Sequence, residues 1–178
     1  TVEIPLRSTA SVYPKNMDDA QTAMSAFGQF DVRVTPLQIA MMSAAIANNG
    51  KIMKPNLIEN VISANLSSLF APAPQEYASP ISANTAAAVR QMMIDAVERG
   101  VSSNARIDGV TVAGKTGTAQ NGEDDPYTLW FTGFAPAENP KVVVAVVIED
   151  GGGRGQNGRG NTLAAPVAKK VIQAVLRK

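Results

Sequence analysis

The sequence contains no cysteine and no histidine. It therefore offers no thiol nucleophile and no imidazole base, and it lacks the side chains that hold nearly all protein zinc sites. We expect no metal ion and no other cofactor. The absence of cysteine does not fix the compartment, because disulfides are optional even in oxidising surroundings.

An excess of charge of one sign and a long apolar run are also lacking. The formal net charge is +1 and only 17% of the residues are charged, which gives no reason to expect nucleic acid or an anionic membrane surface as a partner. No apolar run approaches the roughly 20 residues that a membrane-spanning helix needs. The 178 residues, 45% of them hydrophobic, fit one globular domain. Because the first residue is Thr1 rather than Met, we expect that an upstream part has been removed.

Two unrelated motifs overlap in residues 109–118, whose sequence is GVTVAGKTGT. Gly109–Thr116 matches G-x-x-x-x-G-K-[ST], the phosphate-binding P-loop. Read from its other end, Lys115-Thr116-Gly117 is the K-T-G element that some serine enzymes carry. The two interpretations require opposite backbones, because a P-loop opens a helix at Lys115, whereas a K-T-G element lies in an extended strand beside a cleft.

The neighbouring residues favour the strand. Val110–Val112 are consecutive β-branched residues, which suit a pleated surface, and residues 116–118 are poor helix formers. One feature supports the P-loop, since the apolar strand Val142–Ile148 ends in Glu149 and Asp150, like the magnesium-binding strand of P-loop enzymes. A parallel crossover would need a helix between residues 117 and 142, however, and the sequence has no helical pattern there. A P-loop NTPase is therefore kept only as an alternative.

The periodicity of the chain predicts an α+β fold. Thr35-Pro36-Leu37-Gln38 is a capping box with proline at the first helical position, and Gly50 supplies a left-handed stop. Asn161 or Thr162 is expected to cap the last helix. The connection 136–140 is too short for a helix, so the last two strands should pair antiparallel. The predicted helices are Pro36–Asn48, Ser82–Arg99 and Leu163–Leu176, and the predicted strands are Val110–Ala119, Leu129–Phe134 and Val142–Glu149.

Finer features complete this prediction. Residues 1–19, in which Val2, Ile4 and Leu6 alternate, are expected to be extended and turn-rich. The second helix should bury one face, formed by Val89, Met92, Met93, Ala96 and Val97. Gly153–Gly158 spells G-x-G-x-x-G, but a dinucleotide site also requires a second parallel strand and a downstream acid. We interpret 151–160 as a mobile glycine-rich connection and the acidic residues 123–125 as a solvated loop tip.

Five segments give the chain a resemblance to a known family. They are Phe27–Ala40 (FGQFDVRVTPLQIA), Ile46–Gly50 (IANNG), Val112–Gln120 (VAGKTGTAQ), Trp130–Pro140 (WFTGFAPAENP) and Ala165–Ala168 (APVA). On these segments the chain resembles the C-terminal part of the transpeptidase domain of a class B penicillin-binding protein, and within that family the cell-division type. The resemblance implies a β-lactamase/transpeptidase-like fold, with an antiparallel sheet flanked by helices. Residues 1–178 would supply its C-terminal three strands and its closing helix.

The same resemblance shows that part of the catalytic set is missing. The family combines a Ser-x-x-Lys, a Ser-x-Asn and the K-T-G, and no Ser-x-x-Lys occurs in this sequence. Ser63–Asn65, Ser82–Asn84 and Ser102–Asn104 match Ser-x-Asn by spelling, but in the family that element precedes the region of Phe27. Ser82 is better explained as a helix N-cap. We therefore expect the nucleophile-bearing half to lie upstream, and this chain alone to be inactive.

The resemblance implies a peptidoglycan D,D-transpeptidase that cross-links stem peptides through a serine acyl-enzyme and is inhibited covalently by β-lactams. Lys115 would be catalytic through its positive charge, which favours proton transfer and attracts the substrate carboxylate. Thr116 and Thr118 would bind that carboxylate through their hydroxyls, and the N–H of Thr118 would donate to the oxyanion. Gly117 would let the substrate backbone approach the strand.

The implied partners are stem peptides, β-lactam antibiotics and the N-terminal half of the same protein, which we expect to cover Val110–Val112 and Val142–Ile148. The cell-division and the elongation machinery both stay open as partners, and nucleic acid is not expected. The implied location is the extracytoplasmic face of the bacterial cell membrane, with an upstream transmembrane anchor. Alternative functions are a D,D-carboxypeptidase, a β-lactamase or a non-catalytic β-lactam sensor; the class B segments argue against the first two.

Overall fold

The computed structural model describes residue 4 and residues 8–177, so Val2 and Leu6 of the predicted extended segment lie outside it. This part of the chain has an α+β fold. The helices are α1 (Asp19–Ser25), α2 (Pro36–Ala47), α3 (Ala83–Glu98) and α4 (Gly160–Leu176). The strands are β1 (Ile52–Met53), β2 (Val61–Ile62), β3 (Ser68–Phe70), β4 (Glu76–Ala78), β5 (Ala113–Ala119), β6 (Thr128–Ala135) and β7 (Val142–Ile148).

The main sheet is an antiparallel meander in the order β5-β6-β7. Lys115 lies opposite Thr132, and Phe131 lies opposite Val146. The predicted antiparallel pairing of the K-T-G strand with the strand that contains Trp130 is confirmed. Because Lys115 lies inside a strand instead of opening a helix, the backbone that a P-loop requires is absent here.

The first of these strands is shorter than predicted, since Val110–Val112 precede β5. Ala113 lies opposite Phe134, so continuing the register by two residues would place Thr111 opposite Pro136. Proline has no N–H to donate to the ladder. The carbonyl of Thr111 accepts a hydrogen bond from the Ala137 N–H instead, at 2.9 Å. The β-branched run therefore approaches the sheet as an extended segment outside the ladder.

The ends of α2 and the start of α3 follow their sequence signals. The Thr35 hydroxyl accepts a hydrogen bond from the N–H of Gln38 at 3.2 Å, and Gly50 adopts the left-handed φ of 95° expected of a stop. The Ser82 hydroxyl accepts from the N–H of Thr85 at 3.1 Å, which confirms Ser82 as an N-cap.

Helix α4 differs from its prediction, because it begins at Gly160 and neither Asn161 nor Thr162 caps it. The side chain of Asn161 instead accepts from the N–H of Asn104 at 3.0 Å. A Cβ at residue 160 would lie 2.5 Å from the carbonyl oxygen of Trp130 and 2.8 Å from that of Gly117. Only glycine lets the helix start directly against the sheet.

Several short elements were not predicted. Helix α1 opens with a capping box between Asp18 and Gln21, which the sequence interpretation missed. The pairs β1–β4 and β2–β3 contain two or three residues per strand, too few for an alternating pattern to be recognised. Residues 150–153 and 155–157 form two short 3₁₀ segments, the first interrupted by left-handed φ values near 60° at Gly151 and Gly152. The mobility expected of this connection stays a prediction.

The main sheet is packed on both faces. One face buries α4 together with the end of α3, and its largest buried side chains include Phe131, Ile172, Val97 and Val112. The other face packs Phe134 and Ala113 against α2 and α3. None of the helices in the described ranges is long and apolar enough to cross a membrane.

Candidate active site

The four predicted site residues, Lys115 to Thr118, lie together in the middle of β5. In the part of the chain that the structure describes, β5 pairs only with β6, so no strand pairs with its outer edge. A free edge presents backbone N–H and C=O groups to which an extended peptide can add as a further strand.

Lys115 is exposed on the face of β5 that looks toward α2 and α3. Its Nζ donates a hydrogen bond to the carbonyl oxygen of Thr116 at 2.7 Å. This contact holds the ammonium group at the outer edge of the strand, beside the backbone of the K-T-G element. The charge is thus placed where an anionic group bound along that edge would meet it.

Thr116 and Thr118 share the opposite face of the strand, because side chains alternate with a period of two. The Thr118 side chain is exposed. Thr116 is half-buried, and its hydroxyl lies 3.5 Å from both the carbonyl oxygen of Val101 and the hydroxyl of Ser102. Of the two hydroxyls assigned to carboxylate binding, that of Thr118 is the more accessible.

The backbone of the same residues determines which donors face the open edge. The N–H of Thr116 points away from β6 and donates to the Ser102 hydroxyl at 3.1 Å. In an antiparallel ladder, N–H groups two residues apart point to the same side, so the N–H of Thr118 also faces outward. The predicted oxyanion donor therefore lies on the accessible edge.

Gly117 lies opposite Trp130. A Cβ at residue 117 would come within 3.2 Å of the Trp130 Cβ, which is tighter than ordinary van der Waals contact. Glycine at this position therefore avoids a close contact with Trp130 inside the sheet and also leaves the outer edge of the strand unobstructed.

An apolar cavity of about 440 Å³ lies beside Lys115, between α2, α3 and the sheet. Its walls include Met42 and Met92, whose side chains are 51% and 68% exposed. Of the face predicted for this helix, Met93 and Val97 are buried as expected. The prediction was wrong for Met92, which is exposed and lines this cavity.

A part-buried hydrogen-bond chain joins α2 to the sheet at the floor of the cavity. The hydroxyl of Thr132 donates to the carbonyl oxygen of Val144 at 3.0 Å and lies 2.6 Å from the hydroxyl of Ser43. Thr132 is the cross-strand neighbour of Lys115, so this chain fixes α2 relative to the predicted catalytic lysine.

A second cleft, of about 530 Å³, lies where β5 ends. It is formed by residues 28–33 and 119–123, so the Phe27–Ala40 segment that carried the family resemblance lies beside the K-T-G strand. Phe30 and Asp31 line it with positive φ values of 54° and 50°. Sequence reasoning did not assign Asp31 or Arg33 to the site, and the position of Phe27–Ala40 in the resemblance was the only signal that could have done so. Glu123, which was interpreted as part of a solvated loop tip, also lines this cleft.

The other motifs noted in the sequence are the three Ser-x-Asn matches, the acidic residues 123–125 and the G-x-G-x-x-G, and none of them forms a second site. Ser63 lies next to the β2–β3 turn and Ser82 caps α3, whereas Ser102 contacts Thr116. Residues 123–125 are exposed, and within the described ranges no three His, Cys, Asp or Glu side chains are grouped as a metal site would need. No strand runs parallel to β7 there, which leaves the G-x-G-x-x-G without its dinucleotide fold.

Comparison with known proteins agrees with this geometry. Residues 2–173 match the family model of the penicillin binding protein transpeptidase domain. The chain is 40% identical to the peptidoglycan D,D-transpeptidase PbpA of Mycolicibacterium smegmatis, in a match that covers 98% of the chain. It is 36% identical to PbpA of Mycobacterium tuberculosis, in a match that covers 97% of the chain. It spans only 36% and 35% of the length of those two relatives.

A solved structure matches almost the whole chain. Penicillin-binding protein A from M. tuberculosis, in its ceftriaxone acyl-enzyme complex, superposes with a TM-score of 0.89 at 36% sequence identity. The match covers 97% of this chain and 39% of that protein. It shows the β-lactamase/transpeptidase-like fold expected from the sequence, including the three C-terminal strands and the closing helix.

Proposed function

The chain belongs to the penicillin-binding protein transpeptidase family, and we propose that residues 1–178 form the C-terminal portion of the transpeptidase domain of a peptidoglycan D,D-transpeptidase. The observation that carries this proposal is the K-T-G element on the open edge of β5, with Lys115 and the Thr118 N–H both at that edge. A relative of the same fold forms an acyl-enzyme with ceftriaxone, which supports covalent inhibition by β-lactams.

The proposed reaction is acyl transfer through a covalent serine ester. A serine of the upstream half attacks the penultimate carbonyl of a stem peptide that ends in D-Ala-D-Ala. The serine hydroxyl loses its proton, the amine of the terminal D-Ala takes one up, and this D-Ala leaves. The amine of a neighbouring stem peptide then attacks the ester, which forms the cross-link and frees the serine.

Each residue of the K-T-G element has a role in this reaction. The Lys115 ammonium stabilises the negative charge that develops near the strand edge and attracts the substrate carboxylate. The Thr118 N–H donates to the oxyanion, and the Thr116 and Thr118 hydroxyls bind the carboxylate. Gly117 keeps the edge open to the substrate backbone.

The upstream half of the protein is the partner that this chain requires. The described part of the chain leaves large apolar side chains exposed, among them Met42 at 51% and Met92 at 68%, and exposed apolar patches mark interaction surfaces. The contact was expected on Val110–Val112 and Val142–Ile148. Val112 is already fully buried within this chain, but β7 pairs only with β6 in the described part of the chain and is mostly half-buried, so Val142–Ile148 stay a predicted contact. The open apolar cavity formed by α2 and α3 beside Lys115 is a second candidate for the surface that the upstream half covers.

The proposed location is the extracytoplasmic face of the bacterial cell membrane, where peptidoglycan is assembled, with an anchor in the upstream part. Stem peptides and β-lactams are the proposed ligands. The protein could serve either the division or the elongation machinery, and the residues described here favour neither.

The full-length protein that contains this chain tests the proposal directly. Incubated with a pentapeptide donor and an amine acceptor, it should release D-Ala and form the cross-linked product. Release of D-Ala with water as the acceptor would instead identify a D,D-carboxypeptidase. Penicillin labelling without either product would identify a sensor, and rapid turnover of penicillin a β-lactamase.

A further inference from the structure

Ser102 is a buried polar residue that the proposed mechanism does not use. Its side chain has no solvent exposure, although serine is usually found at the surface. It begins the Ser102-Ser103-Asn104 stretch, which spells Ser-x-Asn but lies downstream of the position that a catalytic Ser-x-Asn would occupy. A buried hydroxyl is costly unless it is hydrogen-bonded, so its partners indicate its role.

The Ser102 hydroxyl is bound to the K-T-G strand itself. It accepts a hydrogen bond from the backbone N–H of Thr116 at 3.1 Å, and it lies 3.5 Å from the Thr116 hydroxyl. The N–H of Thr116 faces the outer edge of β5, the edge along which a substrate strand would pair. Ser102 therefore occupies the outward donor that precedes the Thr118 N–H along the strand.

The segment that carries Ser102 is fixed at both sides. The N–H of Ser102 donates to the carbonyl oxygen of Ala96 near the end of α3 at 2.9 Å. Asn104 donates two hydrogen bonds of 3.0 Å to Asn161 in the first turn of α4, one from its backbone N–H and one from its side-chain amide. Because the segment is held by both helices, the Ser102 side chain that it carries can fix the strand with which it makes contact.

From these contacts we infer that Ser102 is a positioning residue for the transpeptidase reaction, a role that rests on the function proposed above. By accepting a hydrogen bond from the Thr116 N–H, Ser102 fixes the position and orientation of the K-T-G strand. It also occupies the outward donor next to that of Thr118, so an incoming substrate strand can use the Thr118 N–H but not that of Thr116. The bound carbonyl is thereby directed to one register.

Substitutions at Ser102 in the full-length protein test this role. Ser102→Ala leaves the Thr116 N–H without its acceptor, so the strand shifts or binds water, and a misplacement of this kind lowers the acylation rate constant by on the order of 10- to 100-fold. Ser102→Cys keeps a side-chain acceptor for the Thr116 N–H, although a larger and weaker one, and it should give a smaller loss in the same direction. If the alanine variant does not fold, the acylation rate constant of Ser102→Cys tests the inference on its own.

Ser103→Ala is the matched control, because Ser103 lies in the same segment but bonds Asn161 at 3.4 Å rather than the K-T-G strand. Stopped-flow labelling with fluorescent penicillin separates the acylation rate constant from the initial dissociation constant, and Ser102→Ala should change mainly the former. Ser103→Ala should leave both near the wild-type values. Exchange of the Thr116 amide proton, followed by NMR, should accelerate in Ser102→Ala and not in Ser103→Ala.

The outcomes separate this inference from the proposed function. If the wild-type protein is not labelled by penicillin, the proposed function is wrong, and amide exchange still reports whether Ser102 holds Thr116. If the wild type is labelled and folded Ser102→Ala and Ser102→Cys acylate at the wild-type rate, Ser102 is not a positioning residue. A lower melting temperature with unchanged acylation would reduce Ser102 to a packing role and overturn the inference.

Discussion

Lys115 places a positive charge at the outer edge of β5, held there by its hydrogen bond to the Thr116 carbonyl. Because the side chain is exposed, removing it should cost little folding stability. Lys115→Ala in the full-length protein should slow penicillin acylation by on the order of 10² to 10³, the usual effect of deleting one electrostatic contact to the transition state. The rate of fluorescent penicillin labelling measures this.

A matched lysine control is available in Lys141, which is exposed directly before β7. Lys141→Ala should label at the wild-type rate, and thermal melts should show that both variants are folded. A folded Lys115→Ala protein that labels as fast as the wild type would show that this lysine is not at the reaction centre.

The two neighbours of Lys115 should differ in their sensitivity. Thr116→Ala should slow acylation less than Lys115→Ala, since the more accessible Thr118 hydroxyl can still bind the carboxylate. Gly117→Val should slow it at least as much as Lys115→Ala, because a branched side chain would obstruct the substrate backbone and press on Trp130, only 3.2 Å from the new Cβ. The same labelling assay ranks the three variants; a Gly117→Val protein that labels normally would contradict the edge-binding geometry.

At the scale of the elements, the contact between α4 and the sheet depends on Gly160. A Cβ there would meet two backbone oxygens, at 2.5 and 2.8 Å, and backbone atoms of a paired sheet cannot move aside. Gly160→Ala should destabilise the protein by about 1–3 kcal/mol, as overpacking usually does, and thermal or urea unfolding measures the loss.

Gly122→Ala is the matched glycine control for this prediction. Its Cβ would meet only the side chain of Asp125, an exposed carboxylate that can rotate away. Its free energy of unfolding should stay within about 0.5 kcal/mol of the wild type, as for most surface substitutions. Equal stability of Gly160→Ala and wild type would show that α4 does not approach the strands as closely as described.

The elements that the sequence predicted are those with strong local signals. Thr35-Pro36 and Ser82 mark helix starts because a hydroxyl can accept from the first free N–H groups. The β-branched run Val110–Val112 led to a strand predicted three residues too long. The strand begins only at Ala113 because Pro136, on the neighbouring strand's side of the sheet, cannot extend the ladder, and the local sequence does not show this. The start of α4 was missed for a similar reason: it is set by the close approach of Gly160 to the sheet.

The candidate site divides in the same way. Lys115 to Thr118 could be identified because the K-T-G element and its flanking segments are contiguous in the sequence. Ser102 and the 28–33 loop could not be assigned, because they reach β5 only through tertiary contacts. Met92 shows the limit of helical periodicity, which groups residues on one face but does not say which edge of that face stays open.

At the scale of the whole molecule, the chain should be inactive alone. The purified 178-residue chain should show no covalent fluorescent penicillin on a denaturing gel, because the serine that forms the ester is expected in the upstream half. Adding the upstream half as a separate polypeptide should restore labelling, on the upstream half only. Labelling of a residue within this chain would refute the assignment of the nucleophile.

The open cavity beside Lys115 gives a test of where the two halves meet. Met92→Glu in the full-length protein should lower the melting temperature by several degrees, because covering residue 92, 68% exposed as Met in this chain, would bury a charged carboxylate among mainly apolar side chains. Leu66→Glu is the control, since Leu66 is 78% exposed in the β2–β3 turn and lies outside this cavity. Equal melting temperatures for both variants and the wild type would place the contact elsewhere.

The meander order of β5, β6 and β7 also has a consequence for the time course of folding. Each strand pairs with its neighbour in sequence across a short connection, residues 120–127 or 136–141, so little loop-closure entropy opposes the pairing. The bond between Ser43 and Thr132 joins residues 89 positions apart and closes a far longer loop. Contacts of short sequence separation form faster, so the K-T-G strand acquires its partner early, and helix α2, which walls the cavity beside Lys115, docks onto a sheet that already exists.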